Sequence, residues 1–398
     1  MSKTLIQNFR KIQFQEIHKS TFKHNLKNDF HLIAIPYQKQ NILAKEIHKW
    51  KVIKSFTLNY RKFEYSKIVF DNIFPEKIFF YLVKDTQPKY KLFNKYYSKK
   101  YINIESTRIK NKLGKSLRNF FITRNPTEFI EKYSLIFVIK ALKYLENDIK
   151  GIDRLKPLNK PLGYLGWKNF NEFIFFANIS CDWIVLRNFE FLPLNFSKND
   201  KDIDILCRDK NSFIRKLYLS KRSWGISSYE ANIGNKLIPI DLRFIGDGYF
   251  DKLWENNMLN NKIFDQNLVP RPCNLDYFYS LLYHSKLQKR KVKKIYSKRL
   301  DNLKIILEIN FLKNSFIYDD SITSKLLSDF MNFNKYIISK PLDISVEFNK
   351  GFHKKLKSLQ EIIDTSQTPT IVKLILIIPS SIRNLILKTK KFLVDLYK

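Results

Sequence analysis

The stretch KDIDILCRD, residues 201–209, decides how this sequence is expected to fold. It places Asp202 and Asp204 two residues apart in an apolar run, and at that spacing both side chains point to one face of a β-strand. A second apolar stretch, KLIPIDLRF at 236–244, carries Asp241 near its middle. A charge flanked by apolar neighbours in a strand needs a partner or a function. We therefore expect two neighbouring strands whose acidic side chains have a partner or a functional role.

Helix and strand patterns alternate around these two strands. SYEANI before Gly234 and Asn235, with the Asp241 strand after them, predicts a β-hairpin, because Gly-Asn suits a two-residue turn. This hairpin allows the Asp241 strand to lie beside the strand of Asp202 and Asp204. The other predicted elements are a helix in WKNFNEFIFFANIS, a strand in DWIVLRNF, a helix in NSFIRKLYLSKRS and one long helical pattern in DYFYSLLYHSKLQKRKVKKIYSKRLDNLKIILEINFL.

The first part of the chain has strand and helix patterns of its own. HLIAIPY, KSFTLNY and IFPEKIFFYLVKD predict strands, NILAKEIHKWKVI predicts a helix, and Thr127 is the expected N-cap of a later helix. Gly and Pro cluster between Asn147 and Trp167, which predicts a linker. We predict an α/β (α+β) protein with an accessory α/β domain at 1–147, a mixed-sheet domain at 165–350 and a basic amphipathic helical tail at 351–398.

The chain is strongly basic. Its 72 Lys and Arg against 37 Asp and Glu give a net charge of +35 at neutral pH. Such a charge attracts polyanions, including nucleic acid, anionic lipid and phosphorylated metabolites. The excess is mostly Lys and accompanies abundant Ile, Asn, Phe and Tyr, a composition that an AT-rich genome also produces by drift at surface positions. Charge alone therefore does not establish a nucleic-acid function.

Composition and segment lengths exclude several classes of protein. A hydrophobic content of 44% excludes a wholly disordered chain. The three cysteines form no CxxC pair, so the sequence predicts neither a thiolate zinc site nor a disulfide framework, which fits a reducing compartment. No apolar stretch approaches the roughly 18–20 residues of a transmembrane helix. We expect a cytoplasmic protein. The tail from Ser381 onward is expected either to contact an anionic membrane peripherally, at its inner face, or to dock on the domain's own core.

Three aspartates carry the expected chemistry. If Asp202, Asp204 and Asp241 converge from two strands, they cannot all stay ionised without a cation, and hard oxygen ligands suit Mg²⁺. Two-metal phosphoryl and nucleotidyl transfer uses such carboxylates. The competing interpretation is chance, because Asp-x-Asp arises often in a chain with this many charges. Asp241, flanked by Ile240 and Leu242, favours the functional interpretation.

These residues carry a resemblance to a known family. The order of helix, strand, loop, DIDIL, helix and IPIDLRF strand resembles the nucleotidyltransferase fold shared with polymerase β, over roughly residues 165–350. WIVLRNFEFLP, IDLRFIGDGYFDKLW and DYFYSLLYHSKLQK resemble a branch of that superfamily that is often encoded with surface-polysaccharide genes. The resemblance implies that Asp202 and Asp204 bind metal and that Asp241 supplies the third carboxylate.

One segment departs from the family pattern. Where most active members have a Gly-Ser pair that lets backbone amides approach a triphosphate, this chain has Leu186, Arg187 and Asn188. Arg187 can substitute as a phosphate clamp through charge-assisted hydrogen bonds. The other expected nucleotide- or phosphate-binding residues are Asn188, Arg243, His284 and Lys286, although a histidine in an aromatic helix is more often a satisfied core or surface residue.

The favoured expectation is a Mg²⁺-dependent nucleotidyltransferase. Its substrates would be a nucleoside triphosphate or nucleotide sugar and a small phosphorylated sugar or alcohol acceptor, with cell-surface glycan synthesis as the context that the resemblance implies. Two alternatives stay open. One is a non-catalytic protein that binds RNA or DNA through the aromatic and basic segment at 89–112. The other is an inactive, nucleotidyltransferase-like scaffold.

Overall fold

The computed structural model describes most of the chain between Asp29 and Leu356. The residues described are 29–59, 77–95, 98–117, 119–137, 157–158, 160–192, 202–223, 225–289, 292–309, 311–338, 343, 346 and 348–356. Nearly all of the predicted tail at 351–398 and most of the predicted linker between Asn147 and Trp167 lie outside these residues. Membrane contact by the tail and a domain boundary in the linker therefore stay predictions.

The protein is a mixed α/β structure whose chain divides into two compact units. Unit 1 comprises Met1–Cys181, Ser212–Leu219 and Ala231–Leu237, and unit 2 comprises Asp182–Asn211, Ser220–Glu230 and Ile238–Lys398.

The strands of unit 1 form an antiparallel sheet in the order β2-β3-β1-β6 and a separate two-stranded ribbon of β4 and β5. Along β3 the side chains of Ile78, Phe80 and Leu82 are buried at every second position, which is the period of a strand with one face on a core. The strand bounds are β1 Asp29–Pro36, β2 Lys51–Asn59, β3 Lys77–Asp85, β4 Tyr90–Lys95, β5 Ser98–Asn103 and β6 Phe121–Ile122.

The longer helices of unit 1 begin at asparagine caps. Asn125 accepts a hydrogen bond from the Glu128 amide and is followed by Pro126 at the first helical position. The expectation that Thr127 caps this helix is therefore wrong, because the N-cap is Asn125, two residues earlier. The helices are α1 Gln40–Ala44, α2 Ile104–Ser116, α3 Pro126–Ile136 and α4 Phe170–Ser180.

A five-stranded mixed sheet in the order β7-β8-β11-β10-β9 carries the acidic strands. β10 and β11 form the predicted hairpin, and Gly234 and Asn235 both have positive φ angles, 60° and 62°, as a type I′ turn requires. The bounds are β7 Trp183–Val185, β8 Ile203–Cys207, β9 Ser220–Lys221, β10 Ser228–Ile233 and β11 Lys236–Phe244, followed by the small pair β12 Ile263–Phe264 and β13 Pro270–Arg271.

Helices dominate the rest of unit 2, as the sequence predicts. The long helical pattern is divided into α7 and α8, and its basic run falls between them, where like charges at helical spacing disfavour a continuous helix. Almost every side chain of α7 from Asp276 to Leu287 is buried, so α7 is the central helix of this unit. The bounds in unit 2 are α6 Lys252–Asn260, α7 Asn274–Leu287, α8 Lys294–Ile306, α9 Asp320–Asn334 and α10 Lys350–His353, and α5 Lys210–Lys216 belongs mostly to unit 1.

Candidate functional site

Asp204 and Asp241 lie directly opposite each other on two parallel strands. β8 and β11 pair in parallel, and Asp241 is the register partner of Asp204. Side chains at paired positions of neighbouring strands point to the same face of the sheet. Asp204 is buried and Asp241 is half-buried. The prediction that the two acidic strands are neighbours is confirmed.

Asp202 lies one residue before β8, at the same end of the two strands. Its side chain is exposed at the surface, yet surrounding protein atoms crowd its carboxylate. This partial removal from water raises the pKa of Asp202, and the negative charges of Asp204 and Asp241 raise it further. The three carboxylates thus act on one another electrostatically, as a shared site requires.

Arg187 holds Asp204 from the turn that follows β7. Its Nε and Nη2 donate to the two carboxylate oxygens of Asp204 at 3.1 and 2.5 Å, a two-pronged ion pair in which both side chains are buried. Although burial opposes the charge, the Asp204 carboxylate keeps the pKa of Arg187 well above its ordinary value. The Leu186 amide donates to the Asp204 carbonyl, which fixes the start of the turn beside β8.

Arg187 also begins a chain of buried hydrogen bonds that ends on α7. Its Nη1 donates to the Tyr249 hydroxyl at 3.1 Å, and that hydroxyl lies 2.9 Å from His284 Nδ1. Gln288 donates its amide to the Tyr249 carbonyl, so its Oε1 faces His284 Nδ1 at 3.0 Å as an acceptor. Nδ1 therefore carries the imidazole hydrogen.

Arg243 holds Asp241 in a second buried ion pair. Its Nη2 donates to Asp241 at 2.8 Å, and its Nη1 lies 2.8 Å from a carboxylate oxygen of Asp343. The same Asp343 oxygen accepts a hydrogen bond from the Ser227 hydroxyl. The Arg243 guanidinium lies 4.2 Å from the ring centre of Tyr249. Its Nε is buried and has no hydrogen-bond partner among the described residues, so one donor at the site is unused.

Asn188 adopts the backbone conformation of a glycine. Its φ and ψ angles are 61° and 18°, in the left-handed region that glycine populates freely and asparagine tolerates. Its side-chain oxygen accepts a hydrogen bond of 2.9 Å from Arg299 on α8, and Arg299 also approaches Glu190. The departure from the Gly-Ser pattern therefore keeps a glycine-like turn and places an arginine within it.

His284 and Lys286 do not serve as free phosphate ligands in this arrangement. Burial, followed by the nearby Arg187, lowers the pKa of His284 well below its ordinary value, so its ring is neutral at pH 7. The Lys286 ammonium bonds instead to the Ile317 carbonyl and the Asp320 carboxylate. Both side chains are buried in helix packing, so the expectation that they contact phosphate is corrected to a structural role for Lys286 and a supporting one for His284.

The turn after β11 contains two further buried acids. Asp247 accepts hydrogen bonds from the Tyr249 and Phe244 amides, and Glu255 accepts them from the Gly246 and Phe250 amides. Burial raises the pKa of Asp247 to about 6, and burial together with Asp247 raises the pKa of Glu255 well above its ordinary value. These acids shape the turn that presents Tyr249 to both arginines.

The ligand atoms at the site are carboxylate oxygens, the type that a hard divalent cation prefers. Asp204 and Asp241 lie on neighbouring strands and act electrostatically on Asp202, and Asp202 and one oxygen of Asp241 have no hydrogen-bond donor among the described contacts. The arrangement differs from an open metal site because both oxygens of Asp204 face Arg187. Across the described ranges, no group of three or more His, Cys, Asp or Glu side chains is arranged to hold a metal ion.

Sequence reasoning missed several residues that complete this site. The most important are Tyr249 and Asp343, which contact the two arginines from distant parts of the chain. Tyr249 belongs to the GDGYF turn that the resemblance already covered, so its position next to two glycines could have identified it. Asp343 has no comparable pattern around it.

Comparison of the chain with protein-family models, curated proteins and solved structures found no match. Within the part of the chain that the structure describes, no helix combines the length and apolar character needed to cross a membrane.

Proposed function

We propose that this protein is a Mg²⁺-dependent nucleotidyltransferase. The observation that carries the proposal is the pairing of Asp204 with Asp241 at one register position of two parallel strands, with Asp202 close enough to share their electrostatic field. The order of α4, β7, β8, α5 and β11 along the chain supports it, because the nucleotidyltransferase fold that the sequence resembles has the same order.

Each side chain of the site has a role in this proposal. Asp202 and Asp204 would hold Mg²⁺, and Asp241 would help to activate the acceptor hydroxyl. The cation, when bound, supplies positive charge to the phosphoryl oxygens. Arg187 and Arg243 would offer guanidinium groups to the phosphates of the donor. The left-handed turn at Asn188 lets the backbone approach the same phosphates.

The substrates are proposed by class. A nucleoside triphosphate or nucleotide sugar is the donor, and a small phosphorylated sugar or alcohol is the acceptor. Cell-surface glycan synthesis, carried out in the cytoplasm or at the inner face of the membrane, rests on the family resemblance. The net charge of +35 supports anionic substrates in general, since it raises their concentration near the surface.

A thermal-shift screen with nucleoside triphosphates and Mg²⁺ tests the proposal. A ligand that binds the folded state raises the unfolding temperature by mass action. We expect a nucleotide to give a larger rise with Mg²⁺ than with EDTA, and Asp241→Asn to remove that metal-dependent increment. Asp182→Asn is the matched control, because Asp182 pairs with Arg208 and Lys262 outside the three carboxylates. If no nucleotide stabilises the parent protein with Mg²⁺ or Mn²⁺, the proposal is wrong.

An inactive scaffold is the second candidate, and one observation favours it. Asp204 is paired with Arg187 and Asp241 with Arg243. A protein that had lost its metal could keep its fold through such pairs. It would bind no nucleotide in a Mg²⁺-dependent manner, and the same screen separates the two candidates.

A further inference from the structure

The proposed phosphate clamp and the proposed metal ligand are bonded to each other. Arg187 has five N–H groups, and its Nε and Nη2 donate to the two oxygens of Asp204 while Nη1 donates to Tyr249. Asp204 in turn offers both carboxylate oxygens to Arg187. While this ion pair exists, neither side chain can serve a ligand fully.

We infer that the Arg187–Asp204 ion pair is the closed state of the site and that it opens by exchange of partners. A phosphate group takes Arg187, a divalent cation takes Asp204, and the two ligands therefore bind cooperatively. The inference rests on the proposed function, since it assigns regulation to the same site.

Burial makes the exchange concerted. Both side chains are buried, at 7% exposure for Arg187 and 8% for Asp204. A buried charge that loses its partner is strongly destabilised, whereas a charge that changes partner stays compensated. A cation alone would leave Arg187 unpaired, and a phosphate alone would leave Asp204 unpaired. Each ligand therefore binds better when the other is present, and this coupling is reciprocal.

Arg243 shows why Arg187 is the residue that exchanges. Arg243 bonds to Asp343 as well as to Asp241, so it keeps a carboxylate partner if Asp241 turns to another ligand. Among the described residues, Arg187 contacts no second carboxylate, and its remaining hydrogen bond goes to the neutral Tyr249 hydroxyl. Burial raises the pKa of Tyr249 to about 12, so this hydroxyl stays uncharged at neutral pH.

The first arm of the test measures phosphate binding without metal. Inorganic pyrophosphate is titrated in EDTA into the parent protein, Asp204→Asn and Asp202→Asn. Both variants lose one negative charge, but only Asp204→Asn releases an arginine, because Asp202 has no ion pair among the described contacts. We expect Asp204→Asn to bind pyrophosphate at least about 5-fold tighter than Asp202→Asn, the lower end of common coupling factors.

The second arm measures metal binding without phosphate. Free Mn²⁺ is followed by electron paramagnetic resonance in Arg187→Gln and in Arg222→Gln. Arg222 is exposed and close enough to Asp202 to lower its pKa, so its loss changes the local charge without releasing a carboxylate. We expect Mn²⁺ to bind Arg187→Gln at least about 5-fold tighter than Arg222→Gln.

Equal affinities within each matched pair would overturn the inference, because the effect would then be one of charge alone. If one variant does not fold, the other arm decides; Arg187→Lys, which keeps the charge without the two-pronged geometry, then replaces Arg187→Gln, with Arg222→Lys as its matched control. The two proposals can fail independently. Equal affinities within the matched pairs contradict the exchange of partners, whereas a lack of Mg²⁺-promoted nucleotide binding by the parent protein contradicts the proposed function.

Discussion

Unit 2 contains two groups of buried acids that are neutralised in different ways. On the strands, Asp204 and Asp241 are each paired with an arginine. In the turn after β11, Asp247 and Glu255 accept backbone N–H groups, and burial raises the pKa of both. The strand acids thus have cationic guanidinium partners, whereas the raised pKa values of the turn acids shift them toward their protonated forms.

The difference separates acids that can act on a ligand from acids that shape the backbone. A carboxylate paired with arginine can leave that arginine and bind a metal cation, because it then still has a positively charged partner. A carboxyl group that holds a proton and two amides offers little charge to a ligand, and its removal changes the turn. The same unit thus contains the candidate site on the strands and the turn that supports it. The acids of the first are paired with arginines, and those of the second accept backbone N–H groups.

Removing an arginine from the strand group gives the largest expected effect. Arg243→Met leaves Asp241 and the buried Asp343 without their shared cation, and breaking a buried pair from one side costs about 3–5 kcal/mol. Urea unfolding measures the loss. Arg208→Met is the control, since Arg208 pairs with the half-exposed Asp182, and such pairs contribute about 0–1 kcal/mol. Equal losses of unfolding free energy in the two variants would show that the Arg243 ion pairs contribute no more to stability than the more exposed Arg208 pair.

The strand group was largely predictable because its signals are local. The alternation in DIDIL fixes which side chains share a face, and Gly234-Asn235 fixes the hairpin that brings β11 into the sheet. Both features depend on residues within a few positions of each other. The pairing of Asp204 with Asp241 follows once the hairpin is placed beside β8.

Two of the ion pairs at the site could not be predicted, because their members are far apart in the chain, unlike Arg243 and Asp241, which are two residues apart. Arg187 is 17 residues from Asp204, and Asp343 reaches Arg243 from a part of the chain without a recognisable pattern. The spacing of these residues does not indicate that each arginine is already paired with a carboxylate. The sequence therefore predicts Arg187 as a phosphate ligand but does not show that Asp204 already occupies it.

The turn group gives an intermediate effect that depends on pH. Because the folded pKa values of Asp247 and Glu255 are raised, the folded state holds more protons than the unfolded state above about pH 4. The free energy of unfolding should therefore fall as the pH rises. The loss due to Asp247 occurs as the pH passes about 6, and the loss due to Glu255 continues at higher pH. Glu255→Gln needs no proton and keeps one of the two oxygen acceptors for the Gly246 and Phe250 amides.

We expect Glu255→Gln to stabilise the protein at pH 8 by about 0.5–2 kcal/mol, the usual size of a favourable substitution, and to have little effect near pH 4. Thermal unfolding across this pH range measures the difference. Glu230→Gln, in the β10 strand, is the control for the loss of one carboxylate elsewhere in the sheet. A constant difference between Glu255→Gln and the parent at every pH would refute the raised pKa of Glu255.

An effect of similar size is expected in the turn that places Arg187 against Asp204. Asn188 has a φ angle of 61°, which costs an ordinary L-residue about 1–2 kcal/mol and costs glycine nothing. Asn188→Ala should therefore lose about 1–2 kcal/mol, since it keeps the strain and loses the hydrogen bond from Arg299. Asn188→Gly loses the same hydrogen bond but relieves the strain, so its change in stability should be less than half as large. Pyrophosphate binding should follow the same order, because the turn positions Arg187. If Asn188→Gly is as damaging as Asn188→Ala, the contact with Arg299 rather than the backbone shape keeps asparagine at this position.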